Sequence, residues 1–389
     1  MRGNVGVWTY ANPVVVHFAA GSLRRVGGLI GGRPYALVTY DEPRFGDFAQ
    51  VIAATAGPAV CVIDQVKPNP DFSALATACA SLAAANRPPK LILAVGGGSV
   101  IDTAKVVAAS NGDFAVVEQR LSGATAANDN VILPIIAVPT TAGTGSEVTC
   151  WATVWDTDRG RKYSLSDPAL YPQHAVIDPE LTLGAPAGLT VSTALDALSH
   201  ALESLWNVNS NPVSANFAVI AARGILAHLP ALVGDLGNLA LRSRIAEAAL
   251  FAGLAFSNTR TALAHAISYG VTLRHGVPHG LACSFTLPRV MRTVVGQDPA
   301  CDEALRQIFG ADLAAGAERL ERFLVGLGVS VDPADYGVGA DEWRDLIDDA
   351  LVAERGKNFI APRERVAERM LAPTGARPKR RAGAEKQPL

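Results

Sequence analysis

Two hydrophobic rhythms divide the 389-residue chain. In the first, short runs rich in Val, Ile and Leu recur at 14–18, 35–40, 60–63, 91–95 and 131–138, with helical stretches such as the Ala- and Leu-rich 73–85 between several of them. Apolar runs of this length suit strands buried on both faces, and their alternation with helices predicts a parallel sheet covered by helical layers. TCWATVWD, the turn TDRGR and KYSLSD then read as a β-hairpin. Near 183–186 the segment LGAPAGLT breaks the pattern. From Thr190 onward apolar positions take helical spacing, interrupted by turns at 209–212 and 234–238. The expected organisation is an α/β domain over 1–185, an all-helical domain over 186–370 and a basic, solvated tail over 371–389.

Composition narrows the class. Hydrophobic residues make up 49% and charged residues 18%, which supports large cores and argues against disorder. A formal net charge of −2 gives no electrostatic case for nucleic acid or a membrane surface. Five cysteines (Cys61, Cys79, Cys150, Cys283 and Cys301) are scattered without a CxxC pair. They support neither a disulfide framework nor a zinc ribbon, and a reducing cytoplasm is the expected setting. MRGNVGVWTYANP lacks an apolar signal core, and no apolar run is expected to approach the ~20 residues that span a bilayer.

The polar exceptions in the helical half carry the chemistry. Asp196 and His200 in TALDALSHALES are four apart, hence one turn apart on one helix face. A carboxylate among Ala, Leu and Ser is costly unless paired or metal-bound. The plain alternative is a hydrogen-bonded structural pair. His265 in ALAHAISY and His279 in HGVPHG lie in similarly apolar settings. One carboxylate oxygen and three imidazoles would suit a divalent ion such as iron(II) or zinc, with a position left for a substrate oxygen. Of the other histidines, His17, His174 and His228 lie outside these motifs and are expected to be structural or at the surface.

In the first half, LILAVGGGSVIDTAKVVA reads as strand, glycine turn and helix. Glycines let the backbone approach a ligand, and the helix N-terminus offers N–H groups to a pyrophosphate. A simple turn capped by Ser99 is the alternative. A second loop, PTTAGTGSEVT, follows the next strand and offers the hydroxyls of Thr140, Thr141, Thr144 and Ser146. Two such loops at the C-terminal ends of parallel strands predict a nucleotide crevice. The strand ALVTYDEPR ends where an acidic residue would bind the adenosine ribose, so Asp41 favours NADH, while Tyr40 competes for the position and Arg44 could accept NADPH.

Together, GGGSVIDTAK, PTTAGTGSEVT, DPELT, DALSHALES and the spaced HA…PHG resemble the iron-dependent (group III) alcohol dehydrogenase family. The resemblance implies an N-terminal dinucleotide-binding domain, a helical C-terminal domain and a cleft between them. It implies metal ligands at Asp196, His200, His265 and His279, and NAD(P)H contacts at Asn69, Gly97, Gly98, Ser99, Asp102, Thr140, Thr141, Thr144 and Lys162. A homodimer is the expected assembly. Many members carry a histidine four residues after the third ligand, where this chain has Tyr269, so Tyr269 or water would take over its proton transfer. Arg260 and Arg274 flank the presumed ligands where many members have small residues. Guanidiniums suit phosphate and carboxylate oxygens, so a small anionic aldehyde is the expected substrate. NTRTALAHAISY…PHGLACSFTLP resembles the phosphonoacetaldehyde reductases within that family, which would make phosphonoacetaldehyde the substrate and 2-hydroxyethylphosphonate the product. Rival readings are a same-family dehydrogenase for another small alcohol or semialdehyde, and a lyase of the dehydroquinate synthase kind.

Overall fold

The computed structural model describes residues 7–122, 131–157, 159 and 161–372. Most of the expected basic tail, 373–389, lies outside the described residues. By internal contacts the chain forms two units: Ala11–Gly184 with Gly237–Ser257, and Ala185–Leu236 with Asn258–Leu389 and Met1–Tyr10.

The first unit is built on strands β1 (Val15–Phe18), β2 (Tyr35–Val38), β3 (Cys61–Ile63), β4 (Leu91–Gly96), β5 (Ile135–Pro139), β6 (Trp151–Asp156), β7 (Arg161–Ser166) and β8 (His174–Ile177). Six of them form a parallel sheet in the order β1-β8-β5-β4-β2-β3, and β6 and β7 pair as the expected antiparallel hairpin. β8 was not foreseen; it lies between β1 and β5. Helices α1 (Val26–Ile30), α2 (Pro43–Ala56), α3 (Phe72–Ala83), α4 (Gly98–Ser110) and α5 (Phe114–Leu121) belong to this unit.

Alternate residues along each strand serve opposite cores, as the two-residue repeat requires. Ile92 and Ala94 join Ala137 and the inner faces of α3 and α4 on one side. Leu91, Leu93 and Val95 join Ile136, Val138 and residues of α1 and α2 on the other. Chain order turns outward in both directions from between β2 and β4, so the rim after β2 and β4 is the topological switch point where α/β sheets bind ligands.

The second unit is helical: α6 (Ala187–Leu205), α7 (Pro212–Gly234), then, after α8 (Leu239–Thr259), α9 (Leu263–His275), α10 (His279–Ser284), α11 (Leu287–Val294), α12 (Pro299–Phe309), α13 (Leu313–Gly326), α14 (Ala340–Val352) and α15 (Arg363–Met370). Two expectations need correction. All but the end of α8 belongs to the α/β unit, not to a continuous helical domain over 186–370. The physical reason is that its Ala246 and Leu250 cover Ala175 and Ile177 of the unforeseen β8, together with Val148. Second, α7 is long and apolar enough to cross a bilayer by length and composition. Ser214, Asn216, Arg223 and His228 interrupt its run of apolar letters and hid it from the sequence reading. It packs against α6 and α12, and core helices of proteins that never meet a membrane pass the same length test.

Candidate active site

In the helical unit, Asp196, His200 and Glu203 share one face of α6, because offsets of four and seven residues return to within about 40° of the start. His265 lies in the first turn of α9, and His279 is the first residue of α10. Gly280 explains how close α10 can come: a Cβ there would run into the Ser192 carbonyl oxygen of α6. The PHG motif is therefore a backbone approach that sets His279 beside Asp196.

The four expected ligands converge. Asp196 Oδ1 lies 3.4 Å from His265 Nε2, 3.7 Å from His200 Nε2 and 4.0 Å from His279 Nε2. Two atoms each ~2.1 Å from a tetrahedral ion are about 3.4 Å apart, so the spacing suits ligands around one cation. Asp196 Oδ1 and His265 Nε2 are buried with no hydrogen-bond partner among the described residues. Orphaned acceptors in a dry interior are costly, and an ion would satisfy both. Burial raises the Asp196 carboxyl, but the imidazoles of His200, His265 and His279 outweigh it and hold the group below the usual carboxylate range. The set fits a divalent ion. Its asymmetry provides access, since the side chain of His279 is 28% exposed and that of His265 3%.

Glu203 was not singled out in the sequence, yet it orients the centre. Its fully buried carboxylate lies 2.6 Å from His265 Nδ1. It also accepts hydrogen bonds from the backbone N–H groups of Ala262, at 2.9 Å, and Ala264, at 2.5 Å. α9 has no side-chain cap of its own, so a carboxylate from α6 satisfies its first amides and meets the positive end of its dipole. A proton on Nδ1 shared with Glu203 leaves the Nε2 lone pair for a metal, an arrangement that raises ligand basicity. Asn207 and Asn358 donate to the carbonyls of Arg260 and Thr261 and fix the approach to α9.

Around this core, Tyr269 sits one turn after His265 and its ring stacks on that of His279, with centroids 6.2 Å apart and planes 10° apart. Cys283, read from sequence only as a scattered cysteine, joins the cluster. One ligand atom from each of Asp196, His265, His279 and Cys283 can be chosen so that all lie within 4.8 Å of one another. Burial raises the Cys283 thiol pKa, and the neighbouring His265 works against that rise.

The two arginines fare differently. Arg274 does not join the site. It follows His265 by nine residues on α9, about half a turn out of phase and about 13 Å along the axis, and pairs with Glu342 at 3.4 Å. Arg260 adopts a left-handed φ of 63° before α9, and its guanidinium meets Glu354 at 2.6 Å.

In the α/β unit, the Gly97–Ser99 turn enters α4, whose N-terminus has no side-chain cap. A Cβ on Gly98 would meet Thr144 Oγ1 at 2.8 Å, and one on Gly97 would meet Thr141 Oγ1 at 3.3 Å. The two polar loops thus pack together at the rim, and Thr140 N–H donates to the Gly96 carbonyl at 3.0 Å. Asn69, at φ 54°, donates its N–H to Ser99 Oγ at 3.3 Å. Lys162 Nζ lies 5.6 Å from the centre of the Trp155 ring. An uncapped helix N-terminus flanked by glycines and hydroxyls fits a pyrophosphate. Half-buried Asp102 accepts from Ser146 Oγ at 2.6 Å and Thr153 N–H at 2.9 Å, and so braces the second loop. Buried Lys105 fastens the same loop through Ser146 Oγ at 3.0 Å and Thr149 Oγ1 at 3.2 Å. Asp41 is exposed at the rim, whereas Arg44 is engaged by Glu42 at 3.4 Å and lies over Phe45 at 4.7 Å.

Comparison with known proteins agrees with this geometry. Residues 13–179 match the model of the iron-containing alcohol dehydrogenases, and residues 190–372 match the C-terminal model of the Fe-containing alcohol dehydrogenase family. The phosphonoacetaldehyde reductase of Streptomyces viridochromogenes is 34% identical over 341 residues, 81% of this chain and 82% of that protein. The 1,3-propanediol dehydrogenase of Klebsiella pneumoniae is 30% identical over 382 residues, 92% and 95% of the two chains. Among solved structures, sulfoacetaldehyde reductase from Bifidobacterium kashiwanohense in complex with NAD+ superposes with a TM-score of 0.85 at 29% identity, covering 94% of this chain and 97% of that one. With both halves matched, the chain belongs to the iron-containing alcohol dehydrogenase family.

Proposed function

We propose that the protein is a metal-dependent NADH-linked reductase of a small anionic aldehyde, with phosphonoacetaldehyde, reduced to 2-hydroxyethylphosphonate, as the best candidate. The carrying observation is the convergence of Asp196, His200, His265 and His279, with buried orphaned acceptors on Asp196 and His265. A divalent ion held there, iron(II) before zinc, would polarise the aldehyde oxygen, and a bound nicotinamide would supply the hydride. Glu203 keeps His265 in the tautomer that presents Nε2. Tyr269, whose ring stacks on His279, or water would deliver the proton that the product alcohol needs. Gly97, Gly98, Ser99, Thr140, Thr141 and Thr144 would bind the cofactor phosphates, with Asn69 and Lys162 beside them. Exposed Asp41 would receive the ribose hydroxyls and repel a 2′-phosphate, which favours NADH.

An anionic substrate is supported by two relatives, whose names specify aldehydes bearing a phosphonate and a sulfonate. Arg260 is the proposed anion contact; its ion pair with Glu354 is solvent-exposed and therefore cheap to exchange. The 1,3-propanediol dehydrogenase, similar over nearly the whole chain, favours a second reading in which the substrate is a small neutral alcohol. The test is oxidation of NADH and NADPH by the iron(II)-loaded protein with phosphonoacetaldehyde, sulfoacetaldehyde, succinic semialdehyde and propanal. Arg260→Ala should raise KM for the anionic aldehydes at least about tenfold, the loss of one charge-assisted contact, and leave propanal unchanged. Equal effects on all four would reject the anion role.

A further inference from the structure

Cys283 stands one turn along α10 from His279, so both side chains leave the same helix face. Its Sγ lies 3.6 Å from His279 Nε2 and 3.8 Å from His279 Nδ1. A nitrogen at ~2.1 Å and a sulfur at ~2.3 Å from a five-coordinate ion, at angles of about 90–120°, are about 3.1–3.8 Å apart. The sulfur therefore occupies ligand distance from His279 and belongs to the same 4.8 Å cluster as Asp196 and His265. Independently, Asp196 Oδ1 and His265 Nε2 are buried, face each other at 3.4 Å and lack hydrogen-bond partners among the described residues. Cys283 itself is wholly buried, so neither bulk water nor an external reagent accounts for its placement.

We propose that Cys283 is a further ligand of the ion in the substrate-free enzyme, adding a sulfur donor to Asp196, His200, His265 and His279. The inference rests on the functional reading above, because it needs an ion in this cluster. When the sulfur binds, the S–H bond breaks, the proton passes to solvent and the electron pair left on sulfur forms the metal–sulfur bond; no atom changes oxidation state. A soft donor of this kind favours zinc and cobalt over magnesium or manganese.

Cobalt(II) titrated into chelator-stripped full-length protein tests the assignment. The expected result is a set of visible d–d bands together with a near-ultraviolet thiolate-to-cobalt charge-transfer band. Cys283→Ser should lose the charge-transfer band and keep the visible ones, whereas Cys61→Ser, on β3 of the α/β unit, should keep both. A charge-transfer band absent from the unaltered protein, or one that survives Cys283→Ser, overturns the proposal. Should Cys283→Ser fail to fold, zinc-edge X-ray absorption of the unaltered protein decides the matter. A sulfur scatterer at ~2.3 Å supports the assignment, and a shell of nitrogen and oxygen alone overturns it. Absence of visible bands from the unaltered protein would instead overturn the metal reading beneath it, so the two failures are distinguishable.

Discussion

Glu203 joins two tasks that are usually separate: it satisfies the first amides of α9 and fixes the ring of His265. Glu203→Gln keeps the shape and removes the charge, so it should lower metal affinity by about 10- to 100-fold with little change in helicity. Competition with a chromophoric chelator measures this, and an unchanged dissociation constant would deny Glu203 its orienting role. At the same scale, burial pushes the Glu147 carboxyl up to about 7, against the pull of Lys105. A raised carboxylate pKa means the folded state holds the proton longer than the unfolded one. Stability should therefore fall as pH rises from about 4.5 to about 7, by up to about 3 kcal/mol, and Glu147→Gln should flatten that slope. Thermal melts across the window check the sign; parallel curves for the two proteins would contradict it. The residues that converge on Asp196 stood out in the sequence because an acid or an imidazole in an Ala- and Leu-rich segment is costly unless partnered. Glu203 and Cys283 did not. The first is one more acid on α6, and the second gains meaning only once α10 is known to start at His279, which places both on one face.

At the scale of elements, α10 crosses α6 at a glycine. Gly280→Ala would drive a methyl group into the Ser192 carbonyl, and the backbone can yield only by moving α10. The expected cost is ~1–3 kcal/mol of stability, with weaker metal binding because His279 moves with the helix. Differential scanning calorimetry with and without metal separates the two effects, and an unchanged melting temperature would contradict the close approach. The strands of the sheet were largely visible as apolar runs, since burial on both faces leaves no polar alternation to confuse them. β5 begins only after Pro134, which lacks the N–H a ladder needs. β8 is four residues long and led by a histidine, too short to stand out. The placement of α8 followed from β8 and was invisible for the same reason: its composition matches that of the helices in the other unit.

For the whole molecule, the chain makes four passages between its two units, at 10–11, 184–185, 236–237 and 257–258. The passage at 184–185 falls in LGAPAGLT, where Pro and Gly interrupt the pattern; the last two fall beside and within α8, which no change of composition marks. Division of labour follows the division of chain. One unit brings Asp196, His200, His265 and His279 together, while the other presents glycines and hydroxyls at the switch point of its sheet. The two halves of the chemistry should therefore be separable by mutation. Iron(II) titration of the chelator-stripped protein under anaerobic conditions, with metal content and NADH binding read on the same samples, tests this most directly. One tightly held ion per chain is expected, lost in His265→Ala and in Asp196→Ala while NADH still binds. Equal iron uptake by the unaltered protein and both variants would contradict it.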